Sequence, residues 1–192
     1  MNQKSLFRAF FCLIATACFS LTAAAIEKDS DGYFLIGSTA DLEEFCNLVN
    51  TGDTYACARV TADGIDVTSP IGVGDIVFHY RGHFDGQGHT LNITAEKGGL
   101  FANAQPGCVI SNVNITGTVT ADNGVAAALV NNAVGVTIEN CNSTATINAS
   151  STDTAGGLVG SSRGSITLKG CSFSGVINGG EKVGGLIGWN EH

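Results

Sequence analysis

Four segments carry the same short phrase: Gly98-Gly99-Leu100-Phe101-Ala102, Ala127-Ala128-Leu129-Val130-Asn131, Gly156-Gly157-Leu158-Val159-Gly160 and Gly184-Gly185-Leu186-Ile187-Gly188. Their leucines stand at positions 100, 129, 158 and 186, a nearly constant interval. A fixed interval of this size marks a stack of supersecondary units, none of which can bury an apolar face alone.

Aligning the phrases exposes a second ladder upstream of each leucine. Its segments are 109–119, 137–147 and 167–177, with Val113, Cys141 and Cys171 in equivalent places. These segments are rich in β-branched residues and alternate with the two-residue period of a strand. Gly, Asn, Ser and Asp fill the gaps between them, as turns require. The pattern predicts an all-β chain wound as a parallel β-helix (β-solenoid), with coils of about 28–30 residues stacked at about 4.8 Å. Leu129, Leu158 and Leu186 should form one interior column, and Val113, Cys141 and Cys171 another. The paired glycines have two open explanations: φ > 0 at a corner, or close approach of neighbouring coil walls.

The N-terminal part differs. Ser38 and Thr39 offer a hydroxyl cap, Asp41 an acid in the first turn, and Leu42, Phe45, Cys46 and Val49 follow on one helical face. Gly52 is a natural stop. A solenoid has open ends whose apolar core needs cover, so a capping α-helix over about 40–50 is expected inside an N-terminal cap spanning 26–70. The repeats then occupy 71–192. With no lid after Trp189-Asn190-Glu191-His192, the sequence is expected to be a fragment of a longer protein.

Positions 1–25 read as a signal peptide. Lys4 and Arg8 give a positive start, 9–21 is an apolar run, and Thr22-Ala23-Ala24-Ala25 supplies small residues for cleavage. Lipidation at Cys18, in Ala15-Thr16-Ala17-Cys18, is the rival processing route. No other segment approaches a membrane span. The mature chain would carry 17 acids against 7 bases (9 less Lys4 and Arg8), a net charge of −10. Such a chain lacks the basic patch that nucleic acid or anionic lipid needs.

Five cysteines remain: Cys46, Cys57, Cys108, Cys141 and Cys171. Export permits disulfides, but an odd number leaves at least one thiol over. Cys141 and Cys171 should stack one coil apart. That separation exceeds the spacing a relaxed disulfide prefers, so two buried, reduced thiols are expected there. Cys46 and Cys57 stay open between a bridge worth about 3 kcal/mol and two free thiols.

The phrases at 156–160 and 184–190 resemble the GLUG motif, a short repeat of large bacterial surface proteins. These include exported proteins of gut and oral bacteria and the region ahead of the catalytic domain in immunoglobulin A-cleaving metallopeptidases. Gly82-His83-Phe84-Asp85-Gly86-Gln87-Gly88-His89-Thr90-Leu91 resembles a segment that opens such β-helices, as does Gly32-Tyr33-Phe34-Leu35-Ile36 before the helix. The resemblance covers most of 32–190. The second repeat departs from it, with Ala126-Ala127-Ala128 and Asn131 in place of glycines. It implies a bacterial cell-surface β-helix protein. The chain has no His-Glu-x-x-His, so the metallopeptidase chemistry does not carry over.

Chemistry is sparse. The densest polar cluster is His79, Tyr80, Arg81, His83, Asp85 and His89, with Gln87 on the same strand face as His83 and Asp85. A His/Asp set can bind metal or move protons, but Gly82, Gly86 and Gly88 interrupt it. Asp122, Asp153 and Glu181 precede successive phrases and could line one edge, and Glu139 stands alone. Ser161 and Ser162 have no histidine near them in sequence. Thr116, Thr118, Thr120, Thr144, Thr146 and Thr167 face outward without repeating in register, which argues against a threonine ladder. No residue therefore receives a catalytic, cofactor-binding or metal-ligating role. The reading is a non-enzymatic, exported, adhesion-type module whose candidate partners are an extracellular glycan or a host or cell-surface protein. The alternative is a polysaccharide-active enzyme centred on His79–His89.

Overall fold

The computed structural model describes residues 25–95, 98–121 and 124–191. The first turn holds β1 (Phe34–Ile36) and α1 (Thr39–Asn50). The second holds β2 (Ala58–Val60) and β3 (Ile65–Val67), followed by a short 3-10 turn at Ile76–Phe78. β4 (His83–Asp85), β5 (Thr90–Ala95) and β6 (Phe101–Ala104) make the next, then β7 (Val109–Ser111), β8 (Asn114–Thr120), β9 (Val125–Ala127) and β10 (Val130–Val134). β11 (Thr137–Glu139), β12 (Asn142–Ser143), β13 (Thr146–Asn148), β14 (Thr154–Gly156) and β15 (Val159–Arg163) follow. β16 (Thr167–Lys169), β17 (Ser172–Phe173), β18 (Val176–Asn178), β19 (Lys182–Gly184) and β20 (Ile187–Glu191) complete the stack.

The result is a parallel β-solenoid of about five turns with a helix near its N-terminus. Four stacks run its length. The first is β1-β2-β4-β7-β11-β16; the second joins β3, β5 and β8 to β12-β17 and β13-β18; the third is β9-β14-β19; the fourth is β6-β10-β15-β20. Val130 pairs with Phe101 on one side and Val159 on the other, and Val159 with Ile187. That register puts the four phrase leucines in one column. Leu100, Leu129 and Leu158 are fully buried, whereas Leu186 is 36% exposed. The column is interior, and its last member lies uncovered because no further rung stacks on it among the described residues. Burial falls off in the same way at Val176 and Val183.

Both explanations of the glycines hold, at different positions. Gly98 has φ +81, a left-handed conformation that strains other residues. Gly157 has no such angle, but a Cβ there would overlap the Gly185 carbonyl oxygen of the next coil.

The helix forms where its pattern places it. Ser38 Oγ accepts from Asp41 N–H at 3.2 Å, closing the first turn, and Leu42, Phe45, Cys46 and Val49 are buried. Phe45 meets Phe34, Tyr80 and Phe84 with ring centroids 5.9–6.2 Å apart, so the lid is an aromatic plug over the core.

All five cysteines of the described residues are free. Cys46 donates to Ser69 O at 3.3 Å, and Cys57 is half-buried beside β2, pointing to Tyr55 O instead of the helix. Burial pushes the Cys46 thiol up to about 12, with help from the Glu43 charge, and pushes Cys108 up as well. Cys141 and Cys171 do stack, and their thiols titrate as a pair: the neighbouring sulfur, then burial, raises Cys141, while the Cys141 thiol lowers Cys171. Cys171 is half-buried, not buried as its column suggested, because it sits on the uncovered last rung.

Two outcomes follow. Leu158→Ala should cost about 2–5 kcal/mol by urea unfolding, and Leu186→Ala about 1 kcal/mol or less; equal costs would break the register. Brief iodoacetamide treatment at neutral pH should alkylate Cys171 before the other thiols, with Cys46, Cys108 and Cys141 reacting only after denaturation. Native-state labelling of Cys141 ahead of Cys171, read by peptide mass, would contradict this order.

Candidate binding face

The fourth stack carries an irregularity. Ile71 and Tyr80 both bridge to β6, at Phe101 and Ala104. Between those anchors the chain runs from 72 to 79, whereas β6 has only Ala102 and Asn103. The excess cannot lie in the wall and projects from it as a loop. Its ends are locked, since Ile71 and Tyr80 are fully buried and Tyr80 OH donates to Ala56 O at 2.9 Å.

The loop is braced from several sides. Asn50, at the end of α1, accepts from Gly72 and Val73 N–H at 2.8 and 2.9 Å and donates to Pro70 O at 3.2 Å. Asn103 donates to Gly72 O at 3.0 Å. Arg81 reaches back to His79 O and Ile76 O at 2.8 and 3.2 Å. The Gln105 amide donates to His79 Nδ1 at 3.1 Å, leaving Nε2–H to donate to Gly74 O at 3.2 Å. Burial lowers the His79 pKa, the Gly74 contact offsetting part of that, so the imidazole is neutral at neutral pH. What this frame holds out is apolar: Ile76 is 62% exposed, Val77 61% and Val73 43%. A stiff loop that presents apolar tips to water is the usual form of a contact surface.

Beside the loop lie two adjoining troughs of about 630 and 470 Å³ that share Asn103 and Asn132. Asn103, Asn132 and Ser161 stand in register along their floor, one per rung, and Trp189 continues the column beyond the troughs with the Lys182 ammonium 3.4 Å from its ring centroid. Asn131, almost wholly buried, lines the larger trough and accepts from Gly99 N–H at 3.1 Å. Among the described residues no aspartate or glutamate lines either trough. Arg163 is the one permanent cation there among those residues, and it is paired with Glu191.

The six polar residues that the sequence clusters are dispersed. His79 and Arg81 serve the loop, and Tyr80 is core. His89 sits 3.3 Å from Asp63 on a separate turn. His83 and Asp85 do share the outer face of the first stack. There His83 Nδ1 lies 2.8 Å from Tyr33 OH and Nε2 3.0 Å from Ser111 Oγ, a chain that no short sequence window contains. The Arg59 guanidinium lies over the Tyr33 ring at 4.0 Å and is tied to Asp29 and Asp31. Asp85 does not stand behind the imidazole. It accepts from Asn112 at 2.9 Å and from Gln87, and these bonds outweigh burial and hold its carboxyl below the usual range. Without that carboxylate, and with Ser111 only 8% exposed, the chain is a clasp across three turns and not an activated serine.

The remaining candidates separate too. Asp122 lies outside the described residues. Asp153 accepts from Ser150 N–H within its own turn, its carbonyl receives Glu181 N–H at 2.7 Å, and Glu139 lies 3.9 Å from Lys169. Ser161 is on the trough floor, while Ser162 is buried and donates to Asn190 at 2.8 Å. Among the described residues no group of three or more His, Cys, Asp or Glu could hold a metal ion. The threonines correct the expectation of no register: Thr94, Thr118 and Thr146 align on three successive rungs, before Val176 ends the column. The sequence hides this alignment because the step from Thr94 to Thr118 is shorter than the step from Thr118 to Thr146.

The brace makes a testable claim. Asn50→Ala strands two loop N–H groups at a cost of about 1–3 kcal/mol. Chymotrypsin should then cut after Phe78 several-fold faster, with an unchanged far-ultraviolet spectrum. An unaltered cutting rate would mean that Asn50 does not hold the loop.

Comparison of the chain with protein-family models, curated proteins and solved structures finds no match in any of the three.

Proposed function

We propose that the chain is a non-enzymatic, exported surface module of the adhesion type, part of a larger bacterial protein, that holds an extracellular partner against the loop at 72–79 and the adjoining wall. The observation that carries this reading is the braced loop with Val73, Ile76 and Val77 held in water. Ordering such a segment costs conformational entropy, and the frame of Asn50, Arg81, Gln105 and Asn103 meets that cost before any partner arrives. The leader-like stretch at 1–25 and the GLUG resemblance support export and a surface location. The acidic balance of the chain supports solubility there and argues against nucleic acid as the partner.

A second reading, an enzyme acting on polysaccharide, draws on one contact: His83 beside Ser111, with Tyr33 on its other nitrogen. The missing carboxylate and the covered hydroxyl weigh against it.

One experiment addresses both. The full chain is produced from its own leader in a bacterial host, its mature N-terminus is sequenced, and the product is incubated with fixed cells and mucin. Ile26 at the N-terminus, with saturable binding and no release of reducing ends, is expected. An uncleaved leader would sink export. Release of reducing ends that His83→Ala abolishes would replace the module with the enzyme.

A further inference from the structure

We infer that the troughs beside the 72–79 loop form a row of subsites for an extended, uncharged glycan lying along the solenoid axis. This rests on the module reading above and names its ligand class.

The chain carries 17 acids against 9 bases, yet among the described residues no carboxylate lines the troughs, and the one permanent cation there is neutralised by Glu191. A polyanion would meet no free positive charge from these residues, and a basic partner no negative one. What the floor offers is neutral hydrogen-bonding capacity: the amides of Asn103 and Asn132, each with an oxygen and a second N–H left after one N–H donates to Gly72 O or Ala102 O, then the hydroxyl of Ser161. They are set in one column by the strand register. Side-chain amides pair in both senses with hydroxyl groups, which donate and accept.

Rungs repeat at about 4.8 Å, close to the advance of one sugar residue along an extended chain. Successive residues of such a polymer would therefore meet successive members of the column. The troughs, about 630 and 470 Å³, fall in the size range of small-ligand sites. The apolar faces of sugar rings need apolar cover. Ile76 and Val73 give it on the loop side of the two troughs.

An extended peptide suits this face poorly. A peptide strand gains affinity by main-chain pairing with a free sheet edge. The troughs lie on the face of the fourth stack, where β10 and β15 already pair on both sides. Recognition there falls to side chains, and those present suit hydroxyls.

The test is affinity electrophoresis of the full chain in native gels cast with neutral polymers (glucomannan, galactomannan, arabinoxylan, hydroxyethylcellulose) or anionic ones (alginate, polygalacturonate, heparin). Retardation by at least one neutral polymer is expected, and it should persist in high salt. Asn132→Ala and the pair Val73→Ser, Ile76→Ser should each weaken it about tenfold or more. All three side chains are exposed, so the variants should melt with the parent. Thr118→Ala, on the second stack, should bind as the parent does. No retardation by any neutral polymer overturns the proposal. So does retardation by anionic polymers alone that salt abolishes, or neutral binding that survives both trough variants. If the glycans fail while binding to cells persists, the glycan assignment falls and the module reading stands. Depolymerisation of the gel polymer would overturn the module reading instead.

Discussion

Backbone pairing between one rung and the next is the constraint on which everything else depends. Along the strands of a middle rung, N–H and C=O groups pair with the turns on either side, so a strand residue's neighbours are those one coil away in sequence. Leu129 N–H donates to Leu158 O, and Leu158 N–H to Leu186 O, both across a full coil. Once that ladder is fixed, side chains have only two choices at each position, in or out. The inward columns are mostly apolar, and a large member is offset by a small one on the next rung, as where Ala58 stands between Phe34 and Phe84. The outward columns carry no such requirement. The architecture therefore separates stability from function residue by residue along the same strand.

This separation explains why some features can be read from the sequence and others cannot. The leucine ladder is legible because an inward column repeats its chemistry at the coil length. The helix is legible because Ser38, Asp41 and the 42–45–46–49 stripe are local. The loop at 72–79 is not. It is an excursion between two buried anchors, Ile71 and Tyr80, and its own residues follow neither the strand period nor the helical one. The polar cluster at 79–89 looks like one neighbourhood and is not, because adjacency in a solenoid is not adjacency in sequence. Tyr80 points in and Arg81 out, and His89 is already on the next side of the coil. The real partner of His83 is Ser111, one coil further on, and a sequence aligned by coil could have shown it. The threonine column escapes notice for a related reason: the coil step lengthens after Thr118, so a fixed period loses the register.

Variable coil length is itself informative. The steps between paired strands are unequal: Phe34 pairs with Ala58 between β1 and β2, while Thr137 pairs with Thr167 between β11 and β16, and the second step is the longer. The ladder tolerates no slip within a strand, so every extra residue must leave the wall at a corner or as a loop. Most are absorbed in turns built on left-handed residues such as Asn112, Asn140 and Gly170. These turns are self-contained: the Asn140 amide donates to Asn112 Oδ1 at 3.2 Å, and Asn112 in turn to Asp85. Such a ladder spends its polar groups on itself. The 72–79 loop is different in kind. Its polar groups are likewise satisfied by Asn50, Arg81 and Gln105, but its apolar side chains are left facing water.

That contrast bears on how a module of this design acquires a ligand. A solenoid wall of paired strands is flat and has few concave places, so a pocket needs something standing off the wall. Here one excursion, anchored at both ends to β6, supplies the missing side, and the column from Asn103 to Ser161 supplies the floor. Changing the ligand would then require changing the loop and one outward column, with no inward residue touched. The same logic sets the cost of function apart from the cost of folding. Ile76 and Val77 bury little and stabilise little, whereas Ile71 and Tyr80, at the two ends of the loop, are wholly enclosed. Selection on binding can act on the first pair while the second pair keeps the loop where it is.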